Sequence, residues 1–258
     1  MTAAAHASPG AALVTGGARR IGRAIVEALA QAGYAVVIHC HRSRQEAERL
    51  AARLAAKGLR AHVLTADLAD AREAARLVPE AAAAAEPLTL LVNNAAVFEE
   101  DRIELLDGGR FDRQVAVNLR APLLLAREFA RRARALEHPA IINIVDQRVL
   151  KPDPRCFSYT LTKAALWAAT RTMAQAFAPA IRVNAVAPGP TYPNPRDGEE
   201  GLSREAAATP LGKRVRPEEI AAAVLYLARA EHVTGQLLAV DSGQHISWLT
   251  PDVQATLR

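Results

Sequence analysis

Seven short runs rich in Val, Ile, Leu and Ala alternate along the chain with Ala-rich stretches. This alternation limits the possible folds more than any other feature. The runs cover 12–15, 35–39, 61–65, 88–92, 140–145, 181–186 and 236–240. Helical stretches lie near 20–32, 44–57, 70–84, 111–135, 156–178 and 217–229. Continuous apolar strands separated by helices imply a parallel sheet buried on both faces. The expected fold class is α/β: one doubly wound parallel sheet of about seven strands, with helices on both faces. No linker, composition break or solenoid repeat divides it, so residues 1–258 read as a single domain.

The core must be aliphatic, because aromatics are only 4% of a chain that is 50% hydrophobic. No apolar run approaches the roughly 20 residues that span a bilayer. The first ten residues have neither a basic nor an apolar signal segment, so the expected location is the cytoplasm, away from membranes. Cys40 and Cys156 read as reduced thiols, and no spacing suggests a metal site. The net charge of +5 comes with arginines dispersed along helices, as at Arg127, Arg131, Arg132 and Arg134. That pattern fits a solvated surface better than a nucleic-acid interface.

The longest irregular segment, 187–210, holds Pro188, Gly189, Pro190, Pro193, Pro195 and Gly198. It follows the sixth strand, at the carboxyl edge where ligands bind in such sheets. It is expected to be a substrate loop, although its middle, 196–201, fits a plain surface excursion equally well.

The run Thr15-Gly16-Gly17-Ala18-Arg19-Arg20-Ile21-Gly22 links the first strand to the first helix. Glycines there let the backbone approach a pyrophosphate, and the helix N-terminus supplies amides and a positive dipole end. This is the Rossmann arrangement, with Thr15, Gly16, Arg20 and Ile21 as candidate cofactor contacts. Arg20 would place a cation toward phosphates or substrate. The second strand ends in His39-Cys40-His41-Arg42-Ser43, with no acid to hold a ribose 2′-hydroxyl. His41, Arg42 and Ser43 instead offer donors suited to a 2′-phosphate, which favours NADP(H). Ser43 also suits a helix N-cap. Asp67 and Leu68, after the third strand, are placed to meet the adenine, and Asp67 also suits a helix cap. Asn93-Asn94-Ala95-Ala96 follows the fourth strand, where Asn94 and Ala95 can pack closely over the cofactor ribose.

Tyr159 and Lys163 are four residues apart and share a helical face. The ammonium is expected to lower the Tyr159 pKa and give a proton donor usable near neutral pH. Such a pair alone also occurs as an ordinary helical i,i+4 contact.

Taken together, these motifs resemble the short-chain dehydrogenase/reductase family. Asn118, Pro188-Gly189, Val233-Thr234-Gly235 and Asp241-Ser242-Gly243 extend the match along nearly the whole chain. Within the family the chain is most similar to pteridine reductases, including bacterial dihydromonapterin reductases. Four features carry this: Arg20 in the glycine loop, the His39–Ser43 segment, Phe98, and Asp146 where most relatives carry Ser. The resemblance implies catalytic roles for Asp146, Tyr159, Lys163 and Asn118, the last fixing a water near Lys163. It implies cofactor contacts from Lys163, Pro188 and Gly189, and substrate contacts from Arg20, Phe98, Asp146 and Tyr159. The implied reaction is NADPH-dependent reduction of a C=N bond in a dihydropterin, with dihydrofolate as a further candidate. The alternatives are a carbonyl or 3-oxoacyl reductase of the same family, and a non-catalytic NADP-binding sensor or scaffold. A homotetramer is also implied, with the helices near 111–135 and 156–178 at one interface. The tail 244–258, with His245, Trp248 and Leu249, either packs on a neighbouring subunit or frays. Two departures stand out: Asp241-Ser242-Gly243 replaces a more usual Asp-Gly-Gly, and 191–200 follows no pattern.

Overall fold

The structure, a computed structural model, describes residues 9–194 and 197–248. Seven strands, all paired in parallel, form one sheet in the order β3-β2-β1-β4-β5-β6-β7. The strands are β1 (Ala11–Val14), β2 (Ala35–Cys40), β3 (Ala61–Thr65), β4 (Leu88–Asn93), β5 (Ala140–Ile144), β6 (Arg182–Pro188) and β7 (Leu237–Val240). The helices are α1 (Arg20–Gln31), α2 (Arg44–Ala55), α3 (Ala71–Ala84), α4 (Gly108–Val115), α5 (Ala121–Ala133), α6 (Phe157–Phe177), α7 (Gly198–Ala207) and α8 (Pro217–Arg229).

Strand alternation divides the core into two layers. Ala12, Val14, Val36, Ile38 and Val92 pack on one face with α1, α2 and α8. Ala11, Leu13, Val37, Leu91 and Ile141 pack on the other with α3, α5 and α6. Every residue of β1 and β2 is buried, because helices cover both sides. Phe129 on α5 is fully buried in the second layer, a burial that contributes about 1.5–3 kcal/mol.

Two elements differ from the sequence expectation. The stretch 111–135 begins earlier, at Gly108, and is broken by a π-helical turn, Ala116–Arg120, between α4 and α5. Pro122 sits at the start of α5 and has no N–H for the helical ladder, so the widened turn falls where regular bonding cannot continue. Asn118 lies in that turn. The segment 187–210 is not irregular throughout, since it contains α7. Leu202 and Ala206, four apart, bury one face of α7, and Glu199 and Glu200 favour its N-terminal dipole end. The dense prolines upstream mask this pattern. Pro195 and Arg196 lie outside the described residues.

The first residues of the tail are described as far as Trp248. His245 turns back within its own chain: its N–H and its ring Nδ1 lie 2.8 and 2.7 Å from Asp241 Oδ2. Trp248 is exposed. Leu249 and the rest of the tail lie outside the described residues. Among the described residues no helix is long and apolar enough to cross a membrane.

Candidate active site

The strand order reverses between β1 and β4, so the crossovers leave a crevice at the carboxyl ends there. A cleft of about 1080 Å³ opens at this point. One end is built by the glycine loop. Gly16 has a φ of +63°, a left-handed conformation that favours glycine. A Cβ on Gly22 would lie 2.1 Å from the Gly16 carbonyl oxygen and 2.6 Å from Asn94 Nδ2, so only glycine fits. Asn94 Nδ2 donates to the carbonyl oxygens of Thr15 and Gly16, at 2.9 and 3.2 Å. Thr15 Oγ1 accepts the N–H groups of Asn94 and Ala95, at 2.9 and 3.0 Å. The loops after β1 and β4 are thereby tied together.

His39 closes this end from below. Its Nδ1 accepts the Gly16 N–H at 3.2 Å, and its Nε2 faces the Ala66 carbonyl at 3.1 Å. Burial pushes its pKa down to about 4, so the ring is neutral, with Nε2 donating to Ala66 and Nδ1 free to accept. Arg20 stands at a φ of +50°, unusual for a residue with a side chain, and its guanidinium lies 4.7 Å from the Tyr192 ring centre.

Among the expected cofactor contacts, Gly16, Arg20, Ile21 and His41 line the cleft. So do Asp67, Leu68, Asn94 and Ala95, and further along Lys163, Pro188 and Gly189. Thr15 does not; it is buried behind the loop and acts as its anchor. Arg42 is exposed and, like Ser43, is not among the residues lining the cleft. Ser43 is the N-cap residue of α2 but makes no side-chain capping bond. Asp67 Oδ1 accepts the Ala69 N–H at 2.9 Å, and Oδ2 lies 3.8 Å from His41 Nε2. Among the described residues no group of His, Cys, Asp and Glu is arranged to hold a metal ion.

The other end is organised around α6. Asn93 Nδ2 donates to Asn143 Oδ1, and Asn143 Nδ2 to Thr170 Oγ1, both at 2.9 Å. This buried ladder fixes α6 against β4 and β5. Asp101, on the loop after β4, accepts the Ser158 N–H at 2.9 Å and also bonds its hydroxyl. Asn118 clamps the same loop, accepting from Val97 N–H at 2.8 Å and donating to Val97 O at 2.9 Å. Its Nδ2 also reaches Thr162 Oγ1 at 3.2 Å, so its side chain joins the loop to α6 and does not line the cleft. The result is that Phe98 meets Tyr159 edge-on, with ring centres 4.8 Å apart.

Tyr159 donates to Asp146 Oδ2 at 3.2 Å. Asp146 Oδ1 accepts the Arg148 N–H at 2.9 Å, and Arg148 Nη1 lies 3.3 and 3.4 Å from the two carboxylate oxygens. Lys163 Nζ donates to the Ile144 carbonyl at 2.8 Å and lies 5.7 Å from the Tyr159 ring centre. Burial pushes the Lys163 pKa down to about 8, against the pull of Asp146. The expected depression of the Tyr159 pKa is not found. Burial, and then the charge and hydrogen bond of Asp146, raise it well above its usual value, with only Arg148 opposing. The phenol is therefore neutral and protonated across the physiological range.

Some lining residues carried no signal in the sequence. Arg148 reaches Asp146 only because Gln147–Val149 forms a single 3₁₀ turn. Tyr192 lies in the segment that followed no pattern. Gln244, beyond β7, donates to Glu205 on α7 at 2.7 Å, and both line the cleft.

A glycine cradle at the switch point of a parallel sheet, facing a protonated Tyr beside a buried Lys, defines a nucleotide-cradling oxidoreductase. A family profile described as enoyl-(acyl carrier protein) reductase matches residues 16–245. The chain belongs to the short-chain dehydrogenase/reductase family. It is 46% identical to the alternative dihydrofolate reductase FolM from Brucella suis, solved in complex with NADP. That match has a TM-score of 0.91 and covers 94% of this chain and 98% of the other. Galactitol 2-dehydrogenase from Rhizobium johnstonii is 35% identical over 243 residues, covering 90% of this chain and 93% of that protein. The 3-oxoacyl-acyl-carrier-protein reductase FabG from Staphylococcus aureus is 30% identical over 240 residues, covering 91% and 98%.

Proposed function

We propose that this chain is an NADPH-dependent reductase of pterins, converting a dihydropterin to a tetrahydropterin. The observation that carries the reading is the Tyr159–Asp146 hydrogen bond with Phe98 packed against Tyr159. The resemblance at Arg20, His39–Ser43, Phe98 and Asp146, and the likeness to the Brucella suis reductase solved with NADP, support it.

The glycine loop is a cradle that a Cβ at Gly22 would fill, and it suits a pyrophosphate. Asp67, Leu68, Asn94, Ala95, Lys163, Pro188 and Gly189 would hold the remainder of NADPH, with His41, Arg42 and Ser43 toward its 2′-phosphate. Bound NADPH supplies the hydride for the C=N carbon. The chain's own task is to orient a flat ring and deliver a proton to its nitrogen. Tyr159, held neutral, is the proton donor; Phe98, 39% exposed, offers an aromatic surface to the ring. Asp146 aligns Tyr159 and can accept a ring N–H. Lys163 holds the ribose, and Asn118 keeps the Phe98 loop and α6 in register.

A second reading, reduction of a carbonyl such as a 3-oxoacyl thioester, is supported by the relatives that bear that activity and by Arg148, which neutralises part of the Asp146 charge. An ionised Asp146 beside a developing alkoxide weighs against it. NADPH oxidation with dihydrobiopterin, dihydrofolate and acetoacetyl thioesters separates the two. A chain that binds NADPH but reduces none of them is the sensor or scaffold.

The reading includes a homotetramer. Leu123 on α5 and Leu161 on α6 are exposed apolar residues on the two helices assigned to an interface, which supports it. Light scattering tests it: a monomer mass removes this part of the reading.

A further inference from the structure

Arg148 is the one guanidinium found against both Asp146 and Phe98 among the described residues. It bonds both Asp146 oxygens and lies 5.8 Å from the Phe98 ring centre. Its side chain is only 18% exposed, and its Nε lies 3.7 Å from Asp153 Oδ2. A second loop acid therefore pairs its charge with the far side of the same guanidinium without a hydrogen bond to Nε. Asp146 and Phe98 in turn both touch Tyr159. We propose that Arg148 is a positioning residue for proton delivery: it holds Asp146 so that Oδ2 receives the Tyr159 hydroxyl, and it steadies Phe98 beside the same phenol.

The inference rests on the reading that Tyr159 and Asp146 deliver the proton. Its logic is electrostatic as well as geometric. An isolated carboxylate next to a buried phenol and a C=N bond would swing toward water or toward Lys163. The backbone N–H and the guanidinium of Arg148 together supply a fixed three-point hold. The groups facing Arg148 are Asp146 beside its own turn, Asp153 from the following loop, Cys156 just before α6, Tyr159 from α6, and Glu205 from α7. Burial works against its charge, but these neighbours outweigh burial and keep it cationic. Removing that cation raises the proton affinity of the Tyr159 phenol further. Arg148 opposes the upward shift of Tyr159, so without it the limb of the kcat profile that reports the phenol moves to higher pH.

The test compares wild type, Arg148→Met and Arg148→Lys. Turnover of dihydrobiopterin by the wild type decides the underlying reading. The variants are then compared on whichever substrate the wild type reduces, dihydropterin or 3-oxoacyl thioester. Arg148→Met is expected to lower kcat about 10–100-fold, as small misplacements of catalytic groups do, with NADPH affinity within about twofold. Its pH limb should move up by roughly one unit. Arg148→Lys keeps the charge but not the planar fork, so it should restore the pH limb while kcat stays low. Wild-type kcat in Arg148→Met overturns the proposal. So does a low kcat with an unmoved pH limb in folded protein, which marks a purely structural role.

Discussion

The Tyr159 hydroxyl ends on a carboxylate: it donates to Asp146 Oδ2 at 3.2 Å, deep beside a buried Lys163. Most of the site's chemistry follows from this contact. Lys163 alone would favour the phenolate. Burial opposes it most, and Asp146 disfavours the phenolate further with a negative charge and an acceptor. On the proposed reading, the phenol proton is the one a substrate nitrogen takes.

Replacing Asp146 by Ser removes the negative charge and puts a shorter, neutral hydroxyl in place of the carboxylate that accepts the Tyr159 hydroxyl. The Tyr159 pKa should fall, and turnover of a dihydropterin should drop by about 10²-fold or more, while NADPH binding persists. Steady-state kinetics with a fluorescence titration of NADPH checks this. Unchanged dihydropterin turnover would remove Asp146 from the mechanism.

On the proposed reading, in which Lys163 holds the ribose, cofactor binding should be sensitive to alkali. Its folded pKa is pushed down to about 8, so its ammonium is progressively lost above that pH. NADPH affinity should weaken about tenfold between pH 7 and 9. Isothermal titration across that range reads the change, and Lys163→Met should bind weakly with the pH dependence flattened.

His39 has the opposite consequence, for stability in acid. Its folded pKa of about 4 lies below its ordinary 6.5, so the unfolded chain binds the extra proton first. The contribution of neutral His39 is fully present above pH 6.5. It is lost as pH falls from 6.5 to about 4 and then levels off, a change of about 3 kcal/mol. Urea denaturation across this window tests it, and His39→Gln should show a shallower fall.

Much of this was legible locally. The apolar runs at 35–39 and 140–145 place β2 and β5 because both sheet faces are covered. Gly16 and Gly22 announce a tight loop because a side chain has no room there. Tyr159 and Lys163 share a helical face by spacing alone. The remainder depends on where distant segments meet. The direction of the Tyr159 shift is set by Asp146 and by burial, neither of which is encoded in the i,i+4 spacing. Arg148 reaches Asp146 through one 3₁₀ turn, and Asn118 sits in a π turn that helical periodicity cannot report. The α7 helix was obscured because the prolines before it dominate the segment.

The departure at Asp241-Ser242-Gly243 has a physical cost. Ser242 holds a φ of +55°, where a more usual Gly is unstrained. Ser242→Gly should stabilise the fold by about 0.5 kcal/mol net of the added unfolded-state entropy. Differential scanning calorimetry should show Tm rising by about 1–2 °C. An unchanged or lower Tm would mean that the Ser242 side chain offsets its backbone strain.

The central claim, that the cleft reduces a C=N bond in a pterin, is tested most directly by comparing kcat/KM for NADPH oxidation. Dihydrobiopterin and an acetoacetyl thioester are assayed with wild type and Tyr159→Phe. The account predicts preference for the dihydropterin, with turnover abolished in Tyr159→Phe while NADPH still binds. Preference for the thioester, or full dihydropterin activity in Tyr159→Phe, would contradict it.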